Sequence, residues 1–337
     1  MALITTSGIT QAAVEYQNKL RYFFYLVLME RVAALNWNVQ EVDKKDVASY
    51  FIRKGGLIRP YLPGSLGKLA NLGEFKESPL IVEKSYGQFD DNVQNYVDKK
   101  VISAAGTAGN QQKKHPLERL ILEQGTRTVG EEVLSAIYHG VRDTADQTWQ
   151  GTVTGYHKII SAAIVSGEIA TGNGNYKATG AIAAPATGTD TDAYDKVVDF
   201  LSAAHFSLKN QRVILEMSNN TYKYARQALR NKFAGKILKP DLLEELRDDC
   251  RMPFLEISTS VEYGEGNRLV LSLPGLRDLG VNSRGDFTFV QVRQIDADPN
   301  IINFWWQYDS GVRILTLNKK AFLTNDGTIT GTAIVGD

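Results

Sequence analysis

The clearest hydrophobic pattern in the chain lies between residues 287 and 315. Apolar side chains alternate with their neighbours over two stretches that flank the polar segment Asp296–Asn300. One face of the second stretch carries Ile302, Phe304, Trp306 and Tyr308, and the other carries Trp305 and Gln307. A repeat of two residues bounded by Asp, Pro and Asn predicts a β-hairpin. Its strands of about nine residues exceed the usual length of about five or six, which favours an elongated subunit.

Helical spacing of apolar residues is best developed between residues 115 and 141. Pro116 suits the first turn of a helix, and Gly140 suits its end. Gly125 and Gly130 lie inside the pattern, where each costs up to about 1 kcal/mol relative to alanine. The pattern is therefore compatible with one long helix that bends and with two shorter helices that break near Gly125.

Two segments nearer the N-terminus have different characters. Residues 11–35 show helical spacing, and a helix there would pack on its own core or lie as an arm on another subunit. Residues 47–92 are rich in glycine and proline and contain only short β-like runs. Such a segment buries little by itself, and a loop of this length is unusual in a compact chain. We expect an extended hairpin whose edges pair with a neighbouring chain.

The chain after the long helical pattern divides again. Residues 152–192 are rich in Gly, Ala and Thr, and they predict one short helix over Gly155–Val165 followed by short strand and loop. Residues 193–285 have the alternating pattern of a compact α/β unit. Its predicted helices are Ala193–His205, Thr221–Asn231, and one opened by Pro240. Ser218, Asn219 and Asn220 are the candidates for the cap of the second helix. Its predicted strands are Arg212–Met217, Phe254–Ser258 and Arg268–Leu273.

Composition and charge narrow the class of protein. Of 337 residues, 43% are hydrophobic, and 38 basic residues balance 38 acidic ones. No basic run exceeds a Lys-Lys pair, whereas a protein that grips nucleic acid needs a concentrated positive face. The single cysteine, Cys250, excludes an intramolecular disulfide. The start lacks the pattern of a signal peptide, and no apolar run is long enough for a membrane span. These features predict a soluble cytoplasmic product with no membrane partner.

Motifs for catalysis and ligand binding are missing from the sequence. The four histidines lack metal-site spacing. The pairs Gly172/Gly174 and Gly264/Gly266 do not complete a dinucleotide fingerprint. Cys250 has arginine neighbours that would lower a thiol pKa, but a structural thiol is the simpler interpretation. We therefore predict no catalytic, cofactor-binding or metal residues, no cofactor and no enzyme activity.

The order of these segments resembles that of a tailed-bacteriophage major capsid protein with the Hong Kong 97-type fold. The closest local match is RVILEMSNNTYKYARQALRNKFAGKIL at residues 212–238. The hairpin with its continuation to Leu323 and the segment GYHKIISAAIVSGEI at residues 155–169 are also similar to this family. The resemblance covers most of the chain in order.

The resemblance implies an α+β fold with five segments. These are an N-terminal arm (1–46), an extended β-hairpin loop (47–92), a peripheral domain with a spine helix at about 115–141 (93–192), an axial domain (193–285), and return strands of the peripheral domain with the C-terminus (286–337). Hexamers and pentamers would close into an icosahedral shell around the DNA genome. The extended loop would lie across a neighbouring subunit. We expect Arg59, Tyr61 and Trp305 to be intersubunit contacts.

The same resemblance implies the partners. Only about 46 residues precede the loop, so we expect a separate scaffolding protein instead of a built-in scaffolding segment, together with a portal. Contact with packaged DNA would be non-specific. The protein would reside in the virion after synthesis in the cytoplasm of the bacterial host. Some relatives form a Lys–Asn crosslink between subunits, but no pair of residues is assigned to one here.

Other functions remain compatible with the sequence. An encapsulin-type nanocompartment shell shares the fold and encloses enzymes instead of DNA. An enzyme with an unrecognised site in residues 193–285 would be a small oligomer with a deep polar pocket. A tail or decoration protein is a further structural alternative.

Overall fold

The computed structural model describes residue 32 and residues 35–53, 73–92, 117–146, 148–234, 241–282, 289–295 and 298–330. The described strands are β1 (Asn38–Glu41), β2 (Lys45–Arg53), β3 (Gly73–Ile81), β4 (Glu83–Asn92), β5 (Val213–Met217), β6 (Leu255–Thr259), β7 (Glu265–Gly266), β8 (Val270–Ser272), β9 (Arg277–Val281), β10 (Phe289–Ile295), β11 (Asp298–Ile314), β12 (Phe322–Thr324) and β13 (Ile329–Thr330). The described helices are α1 (Leu117–His139), α2 (Tyr156–Val165), α3 (Asp192–Ser202), α4 (Phe206–Lys209), α5 (Asn219–Lys232) and α6 (Leu242–Cys250).

The predicted hairpin is confirmed as the antiparallel pair β10 and β11, but its second strand is longer than expected. β11 has 17 residues. Its first part pairs with β10 and β4, and its last part, Gly311–Ile314, pairs with β9. The predicted polar turn at Asp296–Asn300 was too long, since Asp298 already pairs with Ile295 after a register shift next to Gln294. The strand continues past the hairpin because β9 supplies new hydrogen-bond partners.

Helix α1 is continuous. Of the two alternatives that its glycines left open, one long helix or two shorter ones, the structure shows one long helix. Gly125 lies where a Cβ would come within 2.9 Å of Phe89 and 3.0 Å of Trp306. The glycine therefore lets the aromatic face of the hairpin sheet approach the helix closely. Gly140 follows the last helical residue, as its position in the sequence predicts.

The first core lies between α1 and the hairpin sheet, whose path is β1-β9-β11-β10 with β4 also paired to β11. Phe304, Trp306 and Tyr308 all face this core, as their alternation predicts. Buried residues of α1 and α2 complete it, among them Val133, Ile137, Tyr156 and Ile160. Val32 is helical and buried, and the remainder of the helix predicted over residues 11–35, apart from Leu35, lies outside the described residues.

The second core surrounds a sheet with the order β12-β8-β5-β6. β5 is buried along its whole length, and helices α3, α5 and α6 pack around it. Of the three cap candidates, Ser218 caps α5, since its side chain accepts a hydrogen bond from the Thr221 amide. The helix therefore begins at Asn219, two residues before the predicted start. Helix α6 does not open at Pro240 but at Leu242, because Asp241 is its N-cap and accepts from the Leu243 amide.

Two strands cross the segment boundaries that the sequence predicts. β9 comes from the predicted axial segment, 193–285, but pairs with β11 and β1 in the hairpin sheet. β12 follows the hairpin in the chain but pairs with β8 in the second sheet. The chain therefore passes from each sheet into the other. The domain boundaries themselves stay a prediction.

Candidate functional site

Strands β2 and β3 form an antiparallel hairpin with two unlike faces. Side chains alternate between the faces with a period of two, and the even-numbered ones turn toward the body of the protein. The Tyr50 hydroxyl and the Lys76 ammonium both donate to Glu168 Oε1, at 2.8 and 3.1 Å. Ser78 Oγ donates to the Ile314 carbonyl at 2.7 Å. This face is therefore used within the subunit.

The opposite face of the β2/β3 hairpin is exposed and carries the apolar residues Val47, Phe51, Phe75 and Ile81. The exposed polar residues Lys45, Ser49 and Glu77 lie on the same face. The Phe51 and Phe75 rings lie 5.0 Å apart on paired residues, and Phe75 is 74% exposed. Several exposed apolar side chains on one face mark an interaction surface more often than isolated ones do. We call the four apolar residues the hairpin face.

A buried arginine fixes the root of this hairpin. The Arg313 guanidinium donates to Asp278 at 2.6 and 3.0 Å, and both side chains are almost fully buried. It also donates to Asp46 of β2 and to Gln40 of β1, each at 2.9 Å. One guanidinium on β11 thus binds residues of three other strands, which fixes where the hairpin leaves the body of the protein.

A second buried ion pair connects the two sheets. Arg277 of β9 donates to Glu216 of β5, and each side chain is only 3% exposed. The Tyr156 hydroxyl donates to the other Glu216 oxygen at 3.2 Å. Arg277 also donates to the Leu35 carbonyl at 2.8 Å and lies 5.2 Å from the Trp37 ring centre. We call these groups the junction cluster.

In the junction cluster, the charges of Glu216 and Arg277 stabilise each other. Burial raises the pKa of Glu216, and Arg277 opposes that rise. Burial by itself lowers the pKa of Arg277. Glu216 and the hydroxyls of Tyr138 and Tyr156 raise this pKa by more than burial lowers it, so its net shift is upward. The guanidinium stays charged in a place where an uncompensated charge would be very costly. This pair was not predicted from the sequence, although Glu216 is an acid inside a strand of otherwise apolar residues.

Two histidines lie beside the junction cluster. The rings of His139 in α1 and His157 in α2 are 5.1 Å apart. Their Nε2 atoms each donate at 3.0 Å, to the carbonyls of Glu262 and Tyr263 respectively. Burial lowers the pKa of both histidines, and Arg268 lowers them further. Within the described parts of the chain, no three His, Cys, Asp or Glu side chains are grouped so as to hold a metal ion.

The histidine pair predicts a specific dependence of stability on pH. In the unfolded chain both histidines take up protons near pH 6.5, whereas their lowered pKa values in the folded protein move protonation to lower pH. The unfolded state then binds more protons as pH falls. The free energy of unfolding should therefore decrease below about pH 6.5, by up to about 1.4 kcal/mol per pH unit for each histidine. Urea denaturation between pH 7.5 and 5 measures this slope.

Comparison of the variants His157→Gln and His205→Gln shows whether the slope comes from the buried pair or from a more exposed histidine. The first should reduce the slope, because it removes the histidine whose pKa is lowered the more strongly. The second should change the slope far less. An unchanged slope in the His157→Gln variant would contradict the assignment.

Cys250 is a structural thiol. It is buried, and burial raises its pKa to about 11. The thiol therefore stays protonated near neutral pH and is not a nucleophile. This agrees with the interpretation made from the sequence.

The structure describes one of the three predicted contact residues, Trp305. Arg59 and Tyr61 lie outside the described residues. Trp305 is half-buried on β11, paired with Gln291 and Gln88, on the face opposite Trp306. A contact role for these residues stays a prediction. Among the described helices, none combines the length and the apolar composition that crossing a bilayer requires.

Comparisons with known proteins identify the fold. No family model matches the chain, and no curated protein matches it. A chain from the procapsid of satellite phage P4 including size determination (Sid) protein matches with a TM-score of 0.50 and 9% identity, over 88% of this chain and 89% of that chain. A chain from the capsid of an empty GTA particle matches with a TM-score of 0.50 and 13% identity, over 87% and 88%. The predicted α+β, Hong Kong 97-type fold is confirmed.

Proposed function

We propose that this chain is the major capsid protein of a tailed bacteriophage, whose copies assemble as hexamers and pentamers into an icosahedral shell around the DNA genome. The proposal rests mainly on the hairpin face of β2 and β3, which is exposed on a subunit with a Hong Kong 97-type fold. The buried Arg313 fixes the root of this hairpin. A shell protein must present apolar surface that only other copies cover. The hairpin face meets that requirement.

A second copy of the chain is the partner that best fits the hairpin face. One face of the hairpin already packs on its own subunit through Tyr50, Lys76 and Ser78. The other face presents Phe51 and Phe75, which a neighbouring subunit would bury. Because Arg313 fixes the root, every copy presents the hairpin in the same direction, as a repeating contact between identical subunits requires.

Other partners follow from the same proposal. A separate scaffolding protein would guide assembly, and a portal would occupy one vertex. The balanced charge of 38 basic and 38 acidic residues suits a shell that touches packaged DNA without gripping it strongly. The finished protein would reside in the virion, after synthesis in the cytoplasm of a bacterial host.

Expression of the chain, alone and with a candidate scaffold, followed by electron microscopy tests the function. We expect closed shells for the wild type. Phe75→Ser should abolish them, since it removes a ring that a neighbour would bury, while lowering subunit stability by about 1 kcal/mol or less. Phe206→Ser removes an equally exposed ring on α4, 69% exposed, and is the matched control.

Each result of this experiment has a clear meaning. A wild-type chain that stays monomeric under both conditions would contradict the shell function. Equal shell yields for Phe75→Ser and the wild type would show that the hairpin face is not an assembly contact. Shells that contain an enzyme instead of DNA after infection would favour the encapsulin alternative.

A further inference from the structure

Helix α5 carries a stripe of three basic residues on its solvent side. Lys223, Arg226 and Arg230 are all exposed and are spaced i, i+3 and i+7, which places them on one face of the helix. The buried residues of α5 are Thr221, Ala225, Ala228 and Leu229, on the opposite face. None of the three basic residues forms an ion pair with a described residue. We call them the basic stripe.

Helix α6 carries an acidic stripe with the same spacing. Asp241 at its N-cap, Glu244 and Asp248 are exposed and lie at i, i+3 and i+7. The buried residues of α6 are Leu242, Leu246 and Cys250, again on the opposite face. Neither Glu244 nor Asp248 forms an ion pair with a described residue. These three acids are the acidic stripe.

The two stripes do not neutralise each other within the subunit. α5 and α6 are neighbours around the second core, and Lys232 binds Asp249 across them at 3.2 Å. That pair lies off both stripes. Like charges at i, i+3 and i+4 repel one another along a helix. The helix dipoles offset part of this repulsion, because Glu244 lies in the first turn of α6 and Arg230 in the last turn of α5. A surface that brings opposite charge to both stripes would relieve this repulsion.

We propose that the basic stripe of one copy binds the acidic stripe of the next copy in the shell. The proposal rests on the proposed function and names residues for one of its contacts. Two helices laid side by side would match Lys223 with Asp241, Arg226 with Glu244, and Arg230 with Asp248. In a ring of copies related by rotation, each copy offers its basic stripe to one neighbour and its acidic stripe to the other. Charge complementarity of this kind selects partners and sets their register.

A second copy fits these stripes better than nucleic acid does. DNA phosphates would bind the basic stripe but would leave the acidic stripe without a partner. The matched spacing of the acidic stripe has no role in such a complex. In a contact between copies, both stripes are used.

Charge reversal tests the contact. The variants are Arg226→Glu/Arg230→Glu, Glu244→Arg/Asp248→Arg, and the two combined in one chain. Each double variant should lower the yield of shells by about tenfold or more, because like charges then face each other between copies. The combined variant should restore assembly, because each copy then offers an acidic α5 stripe to a basic α6 stripe. Shells are counted by electron microscopy, and thermal unfolding confirms that each subunit is folded.

A control variant with the same charge change comes from elsewhere on the surface. Lys319→Glu/Lys320→Glu reverses two exposed lysines outside both stripes and should assemble like the wild type. A fall in yield equal to that of Arg226→Glu/Arg230→Glu would show a general effect of net charge and overturn the proposal.

The remaining outcomes of these experiments also test the proposed contact. Wild-type shells with normal yields for either double variant would overturn this contact and leave the proposed function standing. Loss of assembly that the combined variant does not restore would indicate another partner for the stripes, such as scaffold or DNA, and would also overturn it. A wild type that forms no assemblies under any condition would overturn both proposals.

Mixing the two double variants gives an independent check. A ring can then form only by alternation of the two kinds of subunit, so rings with an even number of copies should close and pentamers should not. Native mass spectrometry distinguishes alternating even-numbered rings from random ones. Random composition would contradict pairing of the stripes.

Discussion

The Arg277→Met variant should lose about 3–5 kcal/mol of unfolding free energy, because Glu216 would remain buried without its counter-ion. Both side chains are 3% exposed, so water cannot replace the missing charge. The methionine would also lose the hydrogen bond to the Leu35 carbonyl. Equilibrium denaturation of the subunit with urea near pH 7.5 measures the effect.

A double variant at the same two positions shows whether the lost stability comes from leaving the Glu216 charge without its counter-ion. Glu216→Gln/Arg277→Met removes both charges and keeps the shape of the glutamate side chain. Replacing a buried ion pair by uncharged groups is often close to neutral, so the double variant should be more stable than Arg277→Met alone. A loss below about 1 kcal/mol in the single variant would mean that the junction cluster does not hold the two sheets together.

We further expect that loss of the pair changes assembly as well as stability. Glu216 lies in the second sheet and Arg277 in the hairpin sheet, and Trp37 and Leu35 belong to the segment that precedes β1. The junction cluster therefore sets how three parts of the subunit meet. Subunits of Arg277→Met that remain folded should form fewer or misshapen shells in electron micrographs.

Substituting the neighbouring tryptophans should give opposite results. Trp306→Ala should lower the free energy of unfolding by about 3–5 kcal/mol, the range for a large aromatic residue removed from a core. Its ring is fully buried, stacks 5.4 Å from Phe89 and approaches Gly125 of α1. The substitution would leave a cavity between α1 and the hairpin sheet.

Trp305→Ala is the matched comparison, one residue away on the same strand. Trp305 is half-buried and faces away from the first core, so the subunit should stay folded with a loss of about 1 kcal/mol or less. If Trp305 is a contact between subunits, the variant should form fewer shells than its stability explains. An unfolded Trp305→Ala subunit would show that this side chain is core, and a stable Trp306→Ala subunit would contradict the packing of α1 on β11.

Local sequence patterns determined much of the fold. Alternation at Phe304, Trp306 and Tyr308 predicted a strand and its buried face, and both are confirmed. Ser218 and Gly140 marked helix ends because caps depend on a few neighbouring residues. Periodicity and capping act over one or two turns of chain, so the sequence alone reports them.

Some boundaries were wrong where a partner decided them. β11 extends to Ile314 because β9 pairs with its last residues. α6 begins at Leu242 because the Asp241 side chain caps it. The glycines in α1 left two alternatives open, and the aromatic rings packed against Gly125 decided for one helix.

Sequence patterns predicted most of the helices, the long hairpin with its buried face, and the resemblance to a shell protein. They did not predict which charges meet, since Arg277 pairs with Glu216 across 61 positions and Arg313 with Asp46 across 267; these pairs are seen in the folded structure. The folded structure also decided that the hairpin face is exposed while the opposite face is used within the subunit. The physical reason is that periodicity is a property of neighbouring residues, whereas the pairing of buried charges depends on how distant segments are brought together by the packing of the two cores.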